Sequence, residues 1–165
     1  VDECGAALRC GVRPGKRPPD VLQRTKCGRD DRIPANNYNR ILDELVEKMN
    51  TVGTLQFTLQ VDDDVDQSLD YNNRFHLYRI IQENINNAVK YAKASSASIC
   101  IERKDDDRLN IQFSDNGVGA SEKLLKAESS FLSIKRRVSV LGGSFGVSHN
   151  AEGGLLFQYE IPIGK

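Results

Sequence analysis

The chain has 165 residues, 39% of them apolar, and its 23 basic side chains balance 23 acidic ones. That length suits one domain with at most an appendage, and a neutral total gives no electrostatic case for nucleic acid or an anionic membrane as a main partner. No apolar run approaches the length that spans a bilayer, and the first residues lack the charged-then-apolar pattern of a secretory leader. Residues 1–34 are rich in Arg, Gly, Pro and Cys and carry eight Lys and Arg against five Asp and Glu. Arg13-Pro14-Gly15-Lys16-Arg17-Pro18-Pro19 cannot be helix interior, so this segment reads as a linker, a disordered arm or a junction. Cys4, Cys10, Cys27 and Cys100 form no Cys-x-x-Cys pair, which predicts free thiols in a reducing compartment rather than a zinc site.

From residue 35 the pattern becomes orderly, and residues 35–165 read as one domain. Ile41, Leu42, Leu45, Val46 and Met49 fall at helical spacing, closed by Gly53. Leu55, Phe57, Leu59 and Val61 alternate as a strand, and Asp62-Asp63-Asp64 turns the chain. A long helix then runs from near Asp70 or Asn72 to about Ala92, with Phe75, Tyr78, Ile81, Ile85, Ala88 and Val89 expected on its buried face. Ala97, Ile99 and Ile101 alternate, and so do Leu109, Ile111 and Phe113, with a turn between them that makes a hairpin. A polar stretch leads into a helix bearing Leu132, Ile134, Val138 and Leu141, stopped by Gly142-Gly143. Two final strands carry Phe145 and Val147, then Leu155, Phe157, Tyr159 and Ile161. The order α-β-α-β-β-loop-α-β-β predicts an α+β fold, a two-layer sandwich with a mixed, mostly antiparallel sheet and helices on one face.

Two stretches carry chemistry. In Gln82-Glu83-Asn84-Ile85-Asn86-Asn87-Ala88-Val89-Lys90-Tyr91, Glu83 and Asn87 are four apart and share a helical face. In Asp115-Asn116-Gly117-Val118-Gly119, a carboxylate ends a strand and opens a glycine-punctuated turn. Either stretch alone reads as a polar helix face or an ordinary turn. Together, in this order, they resemble the N box and the Asp-x-Gly-x-Gly box of the GHKL ATPase superfamily, whose fold is the Bergerat type. Asn87-Ala88-Val89-Lys90-Tyr91 and the run Phe131 to Gly143 ending Leu141-Gly142-Gly143, followed by Glu152-Gly153-Gly154, resemble the ATP-binding catalytic domain of bacterial two-component sensor histidine kinases.

The resemblance implies ATP and Mg²⁺ as cofactors. It implies Asn87 as the magnesium ligand, Glu83 as the acid that orients or deprotonates the nucleophile, and Asp115 as acceptor of the adenine amine. Gly117 and Gly119 would let backbone approach the base. Lys90 and Tyr91 would flank the nucleotide, and Ser129, Ser130 and Phe131 would lie in the short ATP lid. The implied partners are a histidine-bearing dimerisation domain, not in this chain, and a response regulator. The implied location is cytoplasmic, including the cytoplasmic part of a membrane-bound sensor, with no membrane contact by this domain itself. Two departures stand out. The family's Gly-x-Gly-Leu before the last helix is Glu128-Ser129-Ser130-Phe131 here, which implies poorer phosphate contacts. Neither His76, expected to be solvated, nor His149 has the context of a phosphoacceptor. A non-catalytic nucleotide- or protein-binding module of the same fold, and less strongly an anti-sigma-type serine kinase, are the alternatives.

Overall fold

The computed structural model describes residues 37–163; the expectation for residues 1–34 lies outside them. The elements are α1 (Tyr38–Val52), β1 (Gln56–Val61), a short α2 (Val65–Ser68), α3 (Tyr71–Asn87), β2 (Ser96–Asp105), β3 (Arg108–Asp115), a short α4 (Glu122–Lys126), α5 (Leu132–Val140), β4 (Ser144–His149) and β5 (Leu155–Pro162). The sheet order is β1-β2-β3-β5-β4. β1 and β2 pair in parallel, as a crossover through α2 and α3 requires, and the remaining pairs are antiparallel. This is the expected α+β sandwich with a mixed, mostly antiparallel sheet.

The alternation read from the strands becomes rows across the sheet. Leu59, Ile99, Phe113, Phe157 and Val147 form one row; Val61, Ile101, Ile111, Tyr159 and Phe145 form the next. These rows pack against Leu42, Val46, Leu77, Ile80, Ile81, Ile85, Ile134 and Val138 from the helices in a single core. The helices therefore cover one face of the sheet. Asn50 of α1 fastens the first layer contact, accepting from the Phe57 amide at 2.7 Å and donating to its carbonyl at 2.9 Å. Asp70 caps α3 by accepting from the Asn73 amide at 2.7 Å.

Two details of α3 differ from the expectation. Val89 is 53% exposed, whereas Leu77 and Ile80 are buried. Eight residues beyond Ile81 a helix has turned to about 80° off the starting direction, so Val89 leaves the stripe that Ala88 and Ala92 continue. His76 is half-buried, not solvated, and its buried Nδ1 has no hydrogen-bond partner among the described residues. Burial, and then the nearby Arg137 guanidinium, hold its pKa below the usual 6.5. The unfolded chain therefore takes up this proton first on acidification, so stability present above pH 6.5 declines below it. Urea titrations at pH 7 and 5 should show a smaller decline in His76→Gln; an equal decline would remove His76 as its source. Cys100 on β2 is disulfide-bonded, against the free thiol expected, and Cys4, Cys10 and Cys27 lie outside the described residues. Among the described residues, no helix is long and apolar enough to cross a membrane.

Candidate functional site

β3 reads Leu109, Ile111, Phe113 and then Asp115 on its core-facing positions, and all four are buried. A carboxylate thus occupies a register position where the strand has been placing apolar side chains. Oδ1 accepts from the Gly117 amide at 2.8 Å and, weakly, from the Leu155 amide at 3.5 Å. Burial pushes the Asp115 carboxyl above its ordinary value, and the two backbone donors partly offset that. Both hydrogen bonds fall on Oδ1, which leaves Oδ2 to accept from a ligand.

The turn after Asp115 is stitched to the end of α3. The last helical residues, Ala88–Ala92, form a π turn, and Lys93 in the left-handed region (φ 50°) stops it. The freed Ala92 carbonyl accepts from the Val118 amide at 2.8 Å. Asn116 accepts from the Ser95 and Ser96 amides at 2.9 and 3.0 Å. A Cβ on residue 117 would lie 2.0 Å from the Ala92 oxygen, and one on residue 154 would lie 2.0 Å from the Asp115 oxygen. Glycine is therefore a steric requirement on both sides of the carboxylate. Gly117→Ala should cost more than the roughly 1–3 kcal/mol usual for overpacking, because the two nearest atoms in conflict are Ala92 backbone and the third is the Asp115 carboxylate itself; urea denaturation at wild-type stability would contradict this.

A cavity of about 420 Å³ opens beside Asp115. Glu83, Asn84, Asn87, Ala88, Tyr91 and Ala92 form the wall from α3 and its π turn. Phe113, Asp115, Leu155 and Phe157 line the sheet side, and Gly119, Ala120 and Leu124 the loop side. Ser130, Phe131 and Leu132 complete the rim. Among the expected site residues, this brings together Glu83, Asn87, Tyr91, Asp115, Gly119, Ser130 and Phe131. Lys90 and Ser129 are exposed and stand outside the lining, and Gly117 lies outside it too, in the turn next to Asp115. Among the described residues, the charged lining groups are Glu83 and Asp115, both acidic.

Sequence reasoning passed over three supports of this cavity. Asn84, 1% exposed, donates to the Tyr159 hydroxyl at 2.7 Å and fixes α3 to the sheet. Asn150 donates to the Asp115 carbonyl at 2.7 Å and the Ser114 hydroxyl at 2.8 Å, holding the β4–β5 turn over the end of β3. Ser133 donates to Glu83 Oε2 at 2.7 Å. Only the Asn-rich pattern of α3 offered a signal, since a buried Asn interrupts an otherwise apolar stripe.

The lid segment answers its missing glycines in an unexpected way. Glu128, Ser129 and Ser130 are not in the positive-φ region, and the left-handed residue is Phe131 (φ 56°). Its ring packs edge-on against Phe157 at 5.3 Å and Phe145 at 6.2 Å. Lys135 closes the turn behind it, donating to the Ala127 and Glu128 carbonyls at 3.2 Å each.

Residues 72–165, more than half of the chain, match the family described as histidine kinase-, DNA gyrase B-, and HSP90-like ATPase. The chain belongs to that family. Sensor histidine kinase LiaS of Bacillus subtilis is 34% identical over 89 residues, 53% of this chain and 24% of LiaS. ComP of the same organism is 30% identical over 99 residues, 58% of this chain and 13% of ComP. This chain thus spans less than a third of the length of these relatives. The ATP binding domain of PrrB from Mycobacterium tuberculosis superposes with a TM-score of 0.61 at 18% identity, covering 82% of this chain and all of that one. Full-length ShkA in complex with AMPPNP gives 0.58 at 20% identity, covering 81% of this chain and 31% of ShkA. The fold is accordingly that of histidine kinase ATP-binding domains.

Proposed function

We propose that this chain is the ATP-binding catalytic domain of a sensor histidine kinase. It donates the γ-phosphoryl group of ATP to a histidine on a separate dimerisation domain, for relay to a response regulator. The observation that carries the reading is the convergence of Asp115, Glu83 and Asn87 on one cavity. Asp115 Oδ2 takes the exocyclic amine of adenine, with Phe113, Phe157 and Leu155 supplying apolar contact to the base. Glu83 lines the α3 wall of the same cavity, and in this reading it borders the phosphate end and accepts the proton of an incoming histidine.

Phosphoryl transfer asks chiefly for positioning and charge neutralisation. Among the described residues the lining supplies no cation, so in this reading a metal ion neutralises the triphosphate charge. Among the described residues no group of three or more His, Cys, Asp or Glu forms a metal cage. Asn87 lines the cavity, and no side-chain hydrogen bond among the described residues occupies its amide oxygen. One hard oxygen ligand fits Mg²⁺, which keeps most of its shell as water and phosphate. When bound with ATP, the ion neutralises phosphate charge. Asn87 holds it, Asp115 orients the base, and Glu83 receives the proton.

Neither histidine of the chain is placed as an acceptor. His76 faces Arg137, and His149 Nε2 lies 2.7 Å from the Ala120 carbonyl. Incubated alone with labelled ATP, the chain should form no acid-labile, base-stable phosphate. Adding a cognate dimerisation domain should label its histidine, and Glu83→Gln should reduce that transfer by roughly 10²-fold or more, as loss of a general base does, while ATP still binds. Stoichiometric labelling of His76 or His149 would overturn the assignment.

A further inference from the structure

We propose that Ser133 is a positioning residue: it ties α5 to Glu83, so that the lid segment's hold on the phosphate end of a bound nucleotide passes through this hydrogen bond. The inference rests on reading the cavity as a nucleotide site. Ser133 lies in the first turn of α5, two residues beyond Phe131, and its Oγ donates to Glu83 Oε2 at 2.7 Å across 50 residues of chain. Among the described residues, Glu83 makes this one side-chain hydrogen bond and no ion pair. The bond therefore fixes the carboxylate by one oxygen, and Oε1 of this cavity-lining residue takes no hydrogen bond among the described residues. That is the arrangement a proton acceptor needs: an oriented group with one free lone-pair face.

The same turn of α5 grips the lid on its other side. Lys135 Nζ holds the Ala127 and Glu128 carbonyls, and Phe131 is seated among Phe145 and Phe157. Lys135 and Phe131 fasten the lid segment to itself and to the sheet. Ser133 fastens it to the face of α3 that presents Asn87. Ser133 itself is exposed and stands outside the cavity lining, so its hydroxyl acts on a ligand through Glu83 rather than by touch. With the bond gone, Glu83 is free to swing towards the triphosphate, and like charges at short range repel.

Calorimetry with ATP plus Mg²⁺, and separately with adenosine, tests this on the wild type, Ser133→Ala, Ser133→Thr, Glu83→Ala and the Ser133→Ala/Glu83→Ala double variant. Ser133 is exposed, so its truncation leaves no core cavity. Ser133→Ala should weaken ATP binding by about three- to tenfold, the range for a solvent-exposed hydrogen bond to a charged group. Adenosine affinity should stay within about twofold, because adenosine engages the Asp115 end only. Threonine, which keeps the hydroxyl, should restore ATP affinity. In the Glu83→Ala background, Ser133→Ala should have no further effect, since a residue acting through another loses its effect with it. Unchanged ATP affinity in Ser133→Ala, an equal loss for adenosine, or additive effects in the double variant would each overturn the proposal while leaving the nucleotide site intact. Failure of the wild type to bind ATP would sink the nucleotide reading and this inference with it.

Discussion

Asp115→Asn should weaken ATP binding by about 10- to 150-fold, because a hydrogen bond to a charged acceptor contributes roughly 1.5–3 kcal/mol. The same variant should be at least as stable as the wild type at pH 7. Burial raises the Asp115 pKa in the folded protein. The folded state therefore binds this proton more tightly than the unfolded chain, and stability is lost as pH rises through the window above the ordinary carboxylate value. Asparagine removes the buried charge and keeps an oxygen for the Gly117 amide. A variant that binds poorly yet melts no earlier is the signature of a site that trades stability for recognition. Unchanged ATP affinity in the folded variant would remove Asp115 as the adenine contact.

The second large effect is at Phe131. An aromatic residue at φ 56° sits in a region that costs a side-chain-bearing residue about 1–2 kcal/mol, so its packing on Phe145 and Phe157 must offset that cost. Phe131→Ala removes the packing and keeps the backbone cost; Phe131→Gly removes both. Alanine should destabilise by about 2–4 kcal/mol, at the lower part of the range for large-to-small aromatic changes because the ring is only half-buried. Glycine should be less destabilising than alanine by about 1 kcal/mol. Urea denaturation of the pair reads the difference directly. Alanine equal to or more stable than glycine would show that the left-handed backbone is not what the ring sustains.

Much of this molecule was legible from periodicity. Alternation in 97–101, 109–113 and 155–161 gave the strands and their inward faces, and Glu83 and Asn87 share the cavity because four residues make about one helical turn. The short crossover helix α2 and the lid helix α4 were not legible, since four or five residues carry too little pattern to read. Nor was the π turn at Ala88–Ala92, which is set by Lys93 and by the contact between Val118 and Ala92, 26 residues apart. Gly154 stood in the quoted Glu152-Gly153-Gly154 motif, but its reason, that a Cβ there would fall 2.0 Å from the Asp115 carbonyl oxygen, exists only once β5 lies beside β3.

The lid shows where a motif comparison stops and physics takes over. Replacement of glycine by Glu128 and Ser130 implied a backbone forced out of its phosphate-binding curl. Here the left-handed residue is Phe131, and the aromatic cluster beside it supplies the compensation that a glycine would make unnecessary. Val89 tells the complementary story: an apolar residue beside a buried stripe is not in it when the helix phase is off by about 80°.

Calorimetric titration of ATP into the chain, with and without Mg²⁺ and alongside GTP, tests the nucleotide site most directly. Binding at one site per chain, tighter with Mg²⁺ than without it, and weaker for GTP, is what Asp115, Asn87 and an anionic cavity require. No ATP binding in either condition, or equal binding of ATP and GTP, would contradict it.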